Sequence, residues 1–338
     1  MGSSLRESPV SLRSKALAIA PPLVARVLFV LALATISYAS PPFSTLRLSE
    51  YQKQDWQVED GLPENNVRMI AQRPDGMLVL ATSSGMATFD GQRFQNMPIE
   101  PDGLMENEAV NAFVYGRNDD IWIGTDGRGV LHRTPSGTTN ISEQAGRLNE
   151  RVRMLNLDAR GNLWIATQNG IERFVNDRLE ALSAGGMISG DIISPFAEDN
   201  YGGMFFVTSS GLFHWENGAV QRFPLRTSSG TPAAVFRDPQ HRIWVGTTTE
   251  ILELVPRNIG DSQNVATNLS ARYDQVVRAS VPSPVSVMQG DVTGNLWVGT
   301  RRDGIFRIGP DGLSRWSTRD GLPDDAVRSM FLDDERNL

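Results

Sequence analysis

The chain has 338 residues, 40% of them hydrophobic and 21% charged, the make-up of an ordinary globular protein and not of a disordered, fibrous or polytopic one. Thirty-one glycines and 19 prolines against 8% aromatic residues favour many turns joining short strands over helix bundles. A net charge of −7 speaks against a nucleic-acid partner, and the absence of cysteine excludes disulfides, thiolate metal sites and cysteine nucleophiles.

The first 26 residues are basic and rich in serine, a run from Val27 to Ile36 that is apolar but for Thr35 follows, and Ser37-Tyr38-Ala39 places small residues where a cleavage site needs them. This order predicts a secretory signal peptide over residues 1–39. These ten residues rise about 15 Å in a helix, about half of a ~30 Å hydrocarbon core, so the run is too short to remain as a span. A periplasmic chain beginning near Ser40 is expected. Residues 40–59 are expected to contribute a closing strand, Leu46 to Val58, and residues 60–338 the remaining architecture.

A single phrase then recurs. It first reads Asp75-Gly76-Met77-Leu78-Val79-Leu80-Ala81-Thr82, then Asp120-Ile121-Trp122-Ile123-Gly124-Thr125 and Gly161-Asn162-Leu163-Trp164-Ile165-Ala166-Thr167. It returns as Gly203-Met204-Phe205-Phe206-Val207-Thr208, Arg242-Ile243-Trp244-Val245-Gly246-Thr247 and Asn295-Leu296-Trp297-Val298-Gly299-Thr300. The closing threonines are 43, 42, 41, 39 and 53 residues apart, a period that suits a four-stranded propeller blade and is too long for leucine-rich repeats. Glycines at 76, 161, 202 and 294 open the phrase at a turn, and the apolar residues after them suit a strand packed on both faces. The expected fold is therefore all-β: a β-propeller with a repeat of about 42 residues, six blades and the start of a seventh.

A second phrase marks the joint between blades. Trp56-Gln57-Val58-Glu59-Asp60-Gly61-Leu62-Pro63 returns, 260 residues or six periods later, as Trp316-Ser317-Thr318-Arg319-Asp320-Gly321-Leu322-Pro323. Asp333 keeps phase with Asp158, Asp199, Asp238 and Asp291, each nine residues before a repeat threonine. The next threonine would fall at 342, so the chain is expected to be a fragment cut within its seventh blade.

Trp122, Trp164, Trp244 and Trp297 share one phase of the second strand, where Val79 and Phe205 substitute. The position asks for bulk, so these tryptophans are expected in the core between blades and not at a sugar-stacking surface. His132, His214 and His241 sit at unequal phases, which offers no metal site, and no cofactor is expected. The aspartates at 158, 199, 238 and 291 recur once per repeat and are expected to hold turns, so no catalytic residue is assigned. In a propeller the loops entering each innermost strand and those between the second and third strands share one face. That makes Asn65, Asn66, Asn107, Asp126, Arg128, Arg301 and Arg302 the candidate ligand-binding residues; the alternative is that they are solvated turn residues.

The motifs WxxxDGLPxNxVxxIxQxxDGxLxxAT, over Trp56 to Thr82, and DxxGNLWxGTxxxGIxR, over Asp291 to Arg307, resemble those of the two-component regulator propeller family. The resemblance spans residues 45–338. It implies the periplasmic sensor of a one-chain receptor, continued in such proteins by an immunoglobulin-like sandwich, a membrane helix and a histidine kinase or diguanylate cyclase output. An extracellular small molecule or oligosaccharide is the partner this implies, with a full-length protein that is anchored in the inner membrane and dimeric. Departures from the pattern are Val79 and Phe205 for Trp, Glu250 for Gly, and an insertion of about 11 residues between Leu254 and Pro284. Two other functions compete: a secreted propeller glycosidase or lyase, because DxxGNLW is superficially similar to the sialidase box SxDxGxTW, and a structural adaptor.

Overall fold

Each repeat folds as its period requires, into a four-stranded antiparallel sheet with the strands in sequence order. The computed structural model describes residues 54–98, 108–117, 120–147, 150–182, 195–225, 230–257, 269–335 and 337–338. The signal peptide expected over residues 1–39 lies outside them, as does most of the closing strand expected over Leu46 to Val58. At the described end of that segment, residues 54–57 carry no strand and Val58–Asp60 is a 3-10 turn.

Blade 1 holds β1 (Val67–Gln72), β2 (Leu78–Thr82), β3 (Gly85–Phe89) and β4 (Phe94–Met97). Blade 2 holds β5 (Val110–Tyr115), β6 (Ile121–Thr125), β7 (Val130–Thr134) and β8 (Gly137–Asn140), followed by a single helical turn, α1 (Ile141–Gln144). Blade 3 holds β9 (Val152–Leu157), β10 (Leu163–Thr167), β11 (Gly170–Val175) and β12 (Arg178–Ala181), and blade 4 holds β13 (Ala197–Glu198), β14 (Met204–Thr208), β15 (Gly211–Glu216) and β16 (Ala219–Phe223). Blade 5 holds β17 (Pro232–Arg237), β18 (Ile243–Thr247), β19 (Glu250–Pro256) and β20 (Tyr273–Ser280). Blade 6 holds β21 (Val285–Gly290), β22 (Leu296–Thr300), β23 (Ile305–Gly309) and β24 (Gly312–Trp316). The expected insertion falls between β19 and β20, in the outer hairpin of blade 5.

The repeat threonines turn each second strand into the third. The hydroxyls of Thr82, Thr125, Thr167, Thr247 and Thr300 donate to the backbone oxygen of Gly85, Gly129, Gly170, Glu250 and Gly304 at 2.9 to 3.3 Å. The threonine Oγ1 atoms in turn accept N–H bonds from within the turn, as from Ser84, Arg128 and Asp303. With every threonine of the phrase at most 2% exposed, a side chain closes a buried turn that the backbone alone would leave unsatisfied. The turn into the second strand needs a left-handed residue. Gly76, Gly161, Gly202 and Gly294 supply it with φ near +81 to +91, and His241 takes the same role in blade 5 at φ +65.

The core lies between blades. Val79, Ala81 and Met86 of blade 1 pack on Val110, Phe113 and Ile123 of blade 2. Trp122 and Val130 of blade 2 pack on Val152, Leu155 and Ile165 of blade 3, and Trp164 of blade 3 packs on Phe196, Met204 and Phe206 of blade 4. Blades 4 and 5 meet through Phe205, Phe223 and Val235, and blades 5 and 6 through Trp244, Val285 and Val298. Trp122, Trp164, Trp244 and Trp297 are 8, 1, 3 and 1% exposed, core residues as expected. A glycine in the second strand lets the next inner strand approach: a Cβ on Gly124 or Gly246 would lie 2.5 or 2.7 Å from a methyl of Val152 or Val285.

The chain beyond Trp316 repeats these contacts. Gly299 faces Val327, whose methyl would lie 2.7 Å from an added Cβ, and the Val327 N–H donates to the Thr300 carbonyl at 2.9 Å. The Gly304 N–H donates to the Asp325 carbonyl at 2.9 Å, as Gly129 does to Glu150 at 2.8 Å. Residues 326–332 therefore occupy the place of a seventh innermost strand without forming a β-ladder there. On the far side, the Asp334 N–H donates to the Gln72 side chain of blade 1.

Candidate functional site

The innermost strands surround a channel of about 940 Å³, lined by all six of them and by residues 328–331. Five of these strands, β1, β5, β9, β17 and β21, carry a bulge at the same step, one residue after their first. In β1, Val67 pairs with Thr82 and Met69 with Ala81, which leaves Arg68 without a ladder partner. The corresponding extra residues are Asn111, Arg153, Ala233 and Ser286. A bulged residue is released from the pleat and re-aims its side chain. Here Arg68, Asn111, Arg153 and Ser286 line the channel, and Arg328 of the seventh segment, which stands one residue after Val327, joins them.

These side chains form a belt at one mouth. Arg68 donates to the Asn111 amide oxygen, and the Asn111 amide group donates to the Val152 carbonyl at 2.7 Å and to Asp126 at 3.2 Å. Asp126 is ion-paired with Arg151 at 2.7 Å. Between blade 6 and the segment after it, the Ser286 hydroxyl donates to the Val327 carbonyl at 2.6 Å. A second cavity of about 660 Å³ joins the same belt, lined by Asn66, Arg68, Ser286, Arg301, Arg302 and Arg328 among others.

Of the residues picked from the sequence, Asp126 and Arg301 line the channel, and Asn66, Arg301 and Arg302 line the second cavity. Asn66 also reaches the Ser83 hydroxyl at 3.5 Å. Asn65 is occupied by the joint between blades: its Oδ1 accepts from the Val58 N–H at 2.9 Å, as Asp325 does from Thr318 at 2.7 Å. Arg128 is exposed, with its N–H on Thr125 and its carbonyl accepting from Asn140. Asn107 lies outside the described residues. Sequence reasoning missed Arg68, Asn111, Arg153, Ser286 and Arg328, although one signal pointed there: each directly follows the valine that opens an innermost strand.

The repeated acids serve the blades. The indole N–H groups of Trp164, Trp244 and Trp297 donate to the carboxylates of Asp158, Asp238 and Asp291 at 3.2, 2.8 and 3.2 Å. In blade 4, where Phe205 has no N–H to give, Asp199 accepts instead from His214 Nε2 at 2.8 Å and from the Tyr273 hydroxyl at 3.1 Å. Tyr273 opens β20, the strand that follows the insertion in blade 5. In blade 2, Gly116 replaces the aspartate; Asp120 fills the space a Cβ on Gly116 would need and bonds His132 Nε2 at 2.8 Å, with the imidazole stacked on Trp122. Burial pushes the Asp199 carboxyl up, but His214 and the N–H groups of Tyr201 and Gly203 outweigh it and hold its pKa below the ordinary value. Asp291 is lowered in the same way, with Asn295, Thr293 and Trp297 overcoming its burial. Among the described residues no group of three metal-ligating side chains converges, and no helix is long and apolar enough to cross a membrane.

No family profile matches the chain, and no curated protein does. Solved structures share its fold. The extracellular domain of BT3049 from B. thetaiotaomicron, assigned to a hybrid two component system, superposes with a TM-score of 0.64 at 18% identity, over 84% of this chain and 39% of that one. PorZ, a surface component of the type-IX secretion system of Porphyromonas gingivalis, gives 0.60 at 15% identity over 84% of this chain and 46% of that one. A streptogramin B lyase gives 0.59 at 12% identity over 82% of this chain and 90% of that one. At these identities the likeness is one of propeller architecture.

Proposed function

We propose that this chain is the extracytoplasmic ligand-sensing propeller of a signal-transduction receptor of the two-component regulator type. The observation that carries the reading is the repeated bulge, which collects polar and cationic side chains at one mouth of the channel while the recurrent acids stay inside the blades. A rigid ring presenting such a belt is suited to binding. The two DGLP joints and the six blade phrases, together with a fold shared with the BT3049 extracellular domain, support a sensor over other propellers. The signal would pass to an output region outside this sequence, of histidine kinase or diguanylate cyclase type.

The fold shared with a lyase makes turnover the competing reading. Against it, His132 and His214 are bonded to Asp120 and Asp199 within their blades, and His241 holds a left-handed turn. None of the three histidines lines the channel. The test is to incubate the purified chain with libraries of plant and bacterial oligosaccharides and follow both melting temperature and product formation. A ligand that raises the melting temperature and is recovered intact is the expected result. Cleavage of one substrate that is abolished by replacing one carboxylate would overturn the sensor reading.

A further inference from the structure

Resting on the sensor reading, we propose that the channel mouth takes a small polyanion, a ligand whose carboxylate or sulfate groups are held by Arg68, Arg301, Arg302 and Arg328. The charge balance points there first. Among the described residues the belt gathers these four arginines with Arg151 and Arg153 around one carboxylate, Asp126, while the other carboxylate of the channel lining, Glu198, ends its innermost strand, in a chain whose net charge is −7. Asp126 is already paired with Arg151.

Three described carboxylates of the neighbouring loops are committed elsewhere. Asp303 bonds Arg315 at 2.8 Å, Asp325 accepts from the N–H and hydroxyl of Thr318, and Glu64 accepts from the Ser83 N–H. Among the described residues, Arg301, Arg302 and Arg328 have no carboxylate partner, and all three are exposed. Like charges gathered around one cavity repel each other, and an anion relieves that repulsion. A guanidinium offers a planar fork of donors matched to the two oxygens of a carboxylate or sulfate.

Position and size make this a built site. Arg68 stands at a bulge, Arg301 and Arg302 directly follow the buried Thr300 that closes the β22–β23 turn, and Arg328 follows Val327 where it is pinned to Thr300. The arginines are thus each displayed within one or two residues of a backbone or side-chain bond to a blade. A channel of about 940 Å³ is far larger than a lone inorganic ion and lies within the ~300–1,000 Å³ of small-molecule sites.

The experiment is isothermal titration of the whole chain with four probes: tetragalacturonic acid, a chondroitin sulfate disaccharide, citrate and, as the uncharged match, maltotetraose. At least one anion is expected to bind while maltotetraose does not, with affinity falling as salt rises. Citrate set against the two saccharides separates a requirement for sugar rings from a requirement for charge alone. Arg301→Gln and Arg328→Gln are each expected to weaken the anion about 10- to 100-fold, the loss of one charge-assisted contact. Arg178→Gln, on the outermost strand of blade 3, should leave binding unchanged. If one variant fails to fold, Arg302→Gln replaces it. Binding of maltotetraose as tight as that of the anions, binding indifferent to the arginine variants, or no binding of any of the three anions overturns the proposal. Each of those outcomes leaves the sensor reading standing, which falls separately if the titrated probe is recovered cleaved.

Discussion

Asp199 shows how one buried carboxylate is shared. It accepts from the His214 ring, the Tyr273 hydroxyl and the N–H groups of Tyr201 and Gly203, and it is 3% exposed. Its removal strands all four donors, each at a cost of about 1–3 kcal/mol when left unpaired. Asp199→Ala is therefore expected to lower the unfolding free energy in urea by at least ~3 kcal/mol, against ±0.5 for Asp311→Ala at an exposed turn. The same group sets a pH dependence. Because the folded pKa values of Asp199 and Asp291 are lowered, their stabilisation is fully present above the unfolded carboxylate value of about 4 and is lost as pH falls through the folded values. The melting temperature should be flat from about pH 7 to 5 and fall below about 4, with a shallower fall in Asp291→Asn. The period made these acids legible as structural. Their partners were not, because Tyr273 arrives from 74 residues away in another blade and His214 compensates for an N–H that Phe205 lacks.

Among the elements, the second strands were the most legible, since a continuous apolar run ending in threonine carries both its packing and its turn. Trp164, in β10, is 1% exposed and touches Phe196 and Trp215 of the next blade, with Arg173 over its ring. Trp164→Ala should destabilise the chain by about 3–5 kcal/mol in urea, the usual loss for a buried indole. A midpoint equal to that of the parent chain would remove the tryptophan from the inter-blade core. The innermost strands were less legible. A bulge is a mismatch between two strands, so the recurring valine marks the position but only the pairing of Val67 with Thr82 and of Met69 with Ala81 shows that Arg68 is skipped. The loop residues and the bulged residues therefore meet only in the folded ring: Asn65 holds a blade joint, whereas Asn66, Asp126, Arg301 and Arg302 line the cavities beside strand residues one step further in.

For the molecule as a whole, the ring assigns structure and recognition to different radii. Packing is settled between blades by the tryptophans, valines and close glycines, while the axis is left open and its mouth is lined by residues that the ladders skip. Residues 326–332 take part in both, with Val327 against Gly299 and Arg328 at the mouth. Val327→Asp is expected to lower the melting temperature by several degrees, since it would press a carboxylate against Gly299 of blade 6 in place of a half-buried methyl pair, whereas Arg328→Gln should leave it unchanged or raise it. The most direct measurement is a crystal structure of the chain grown with tetragalacturonic acid. The account predicts ligand density at the mouth, with carboxylates against Arg68, Arg301 or Arg328. Density confined to the outer strands, or at the opposite end of the channel beside Glu198, would contradict it.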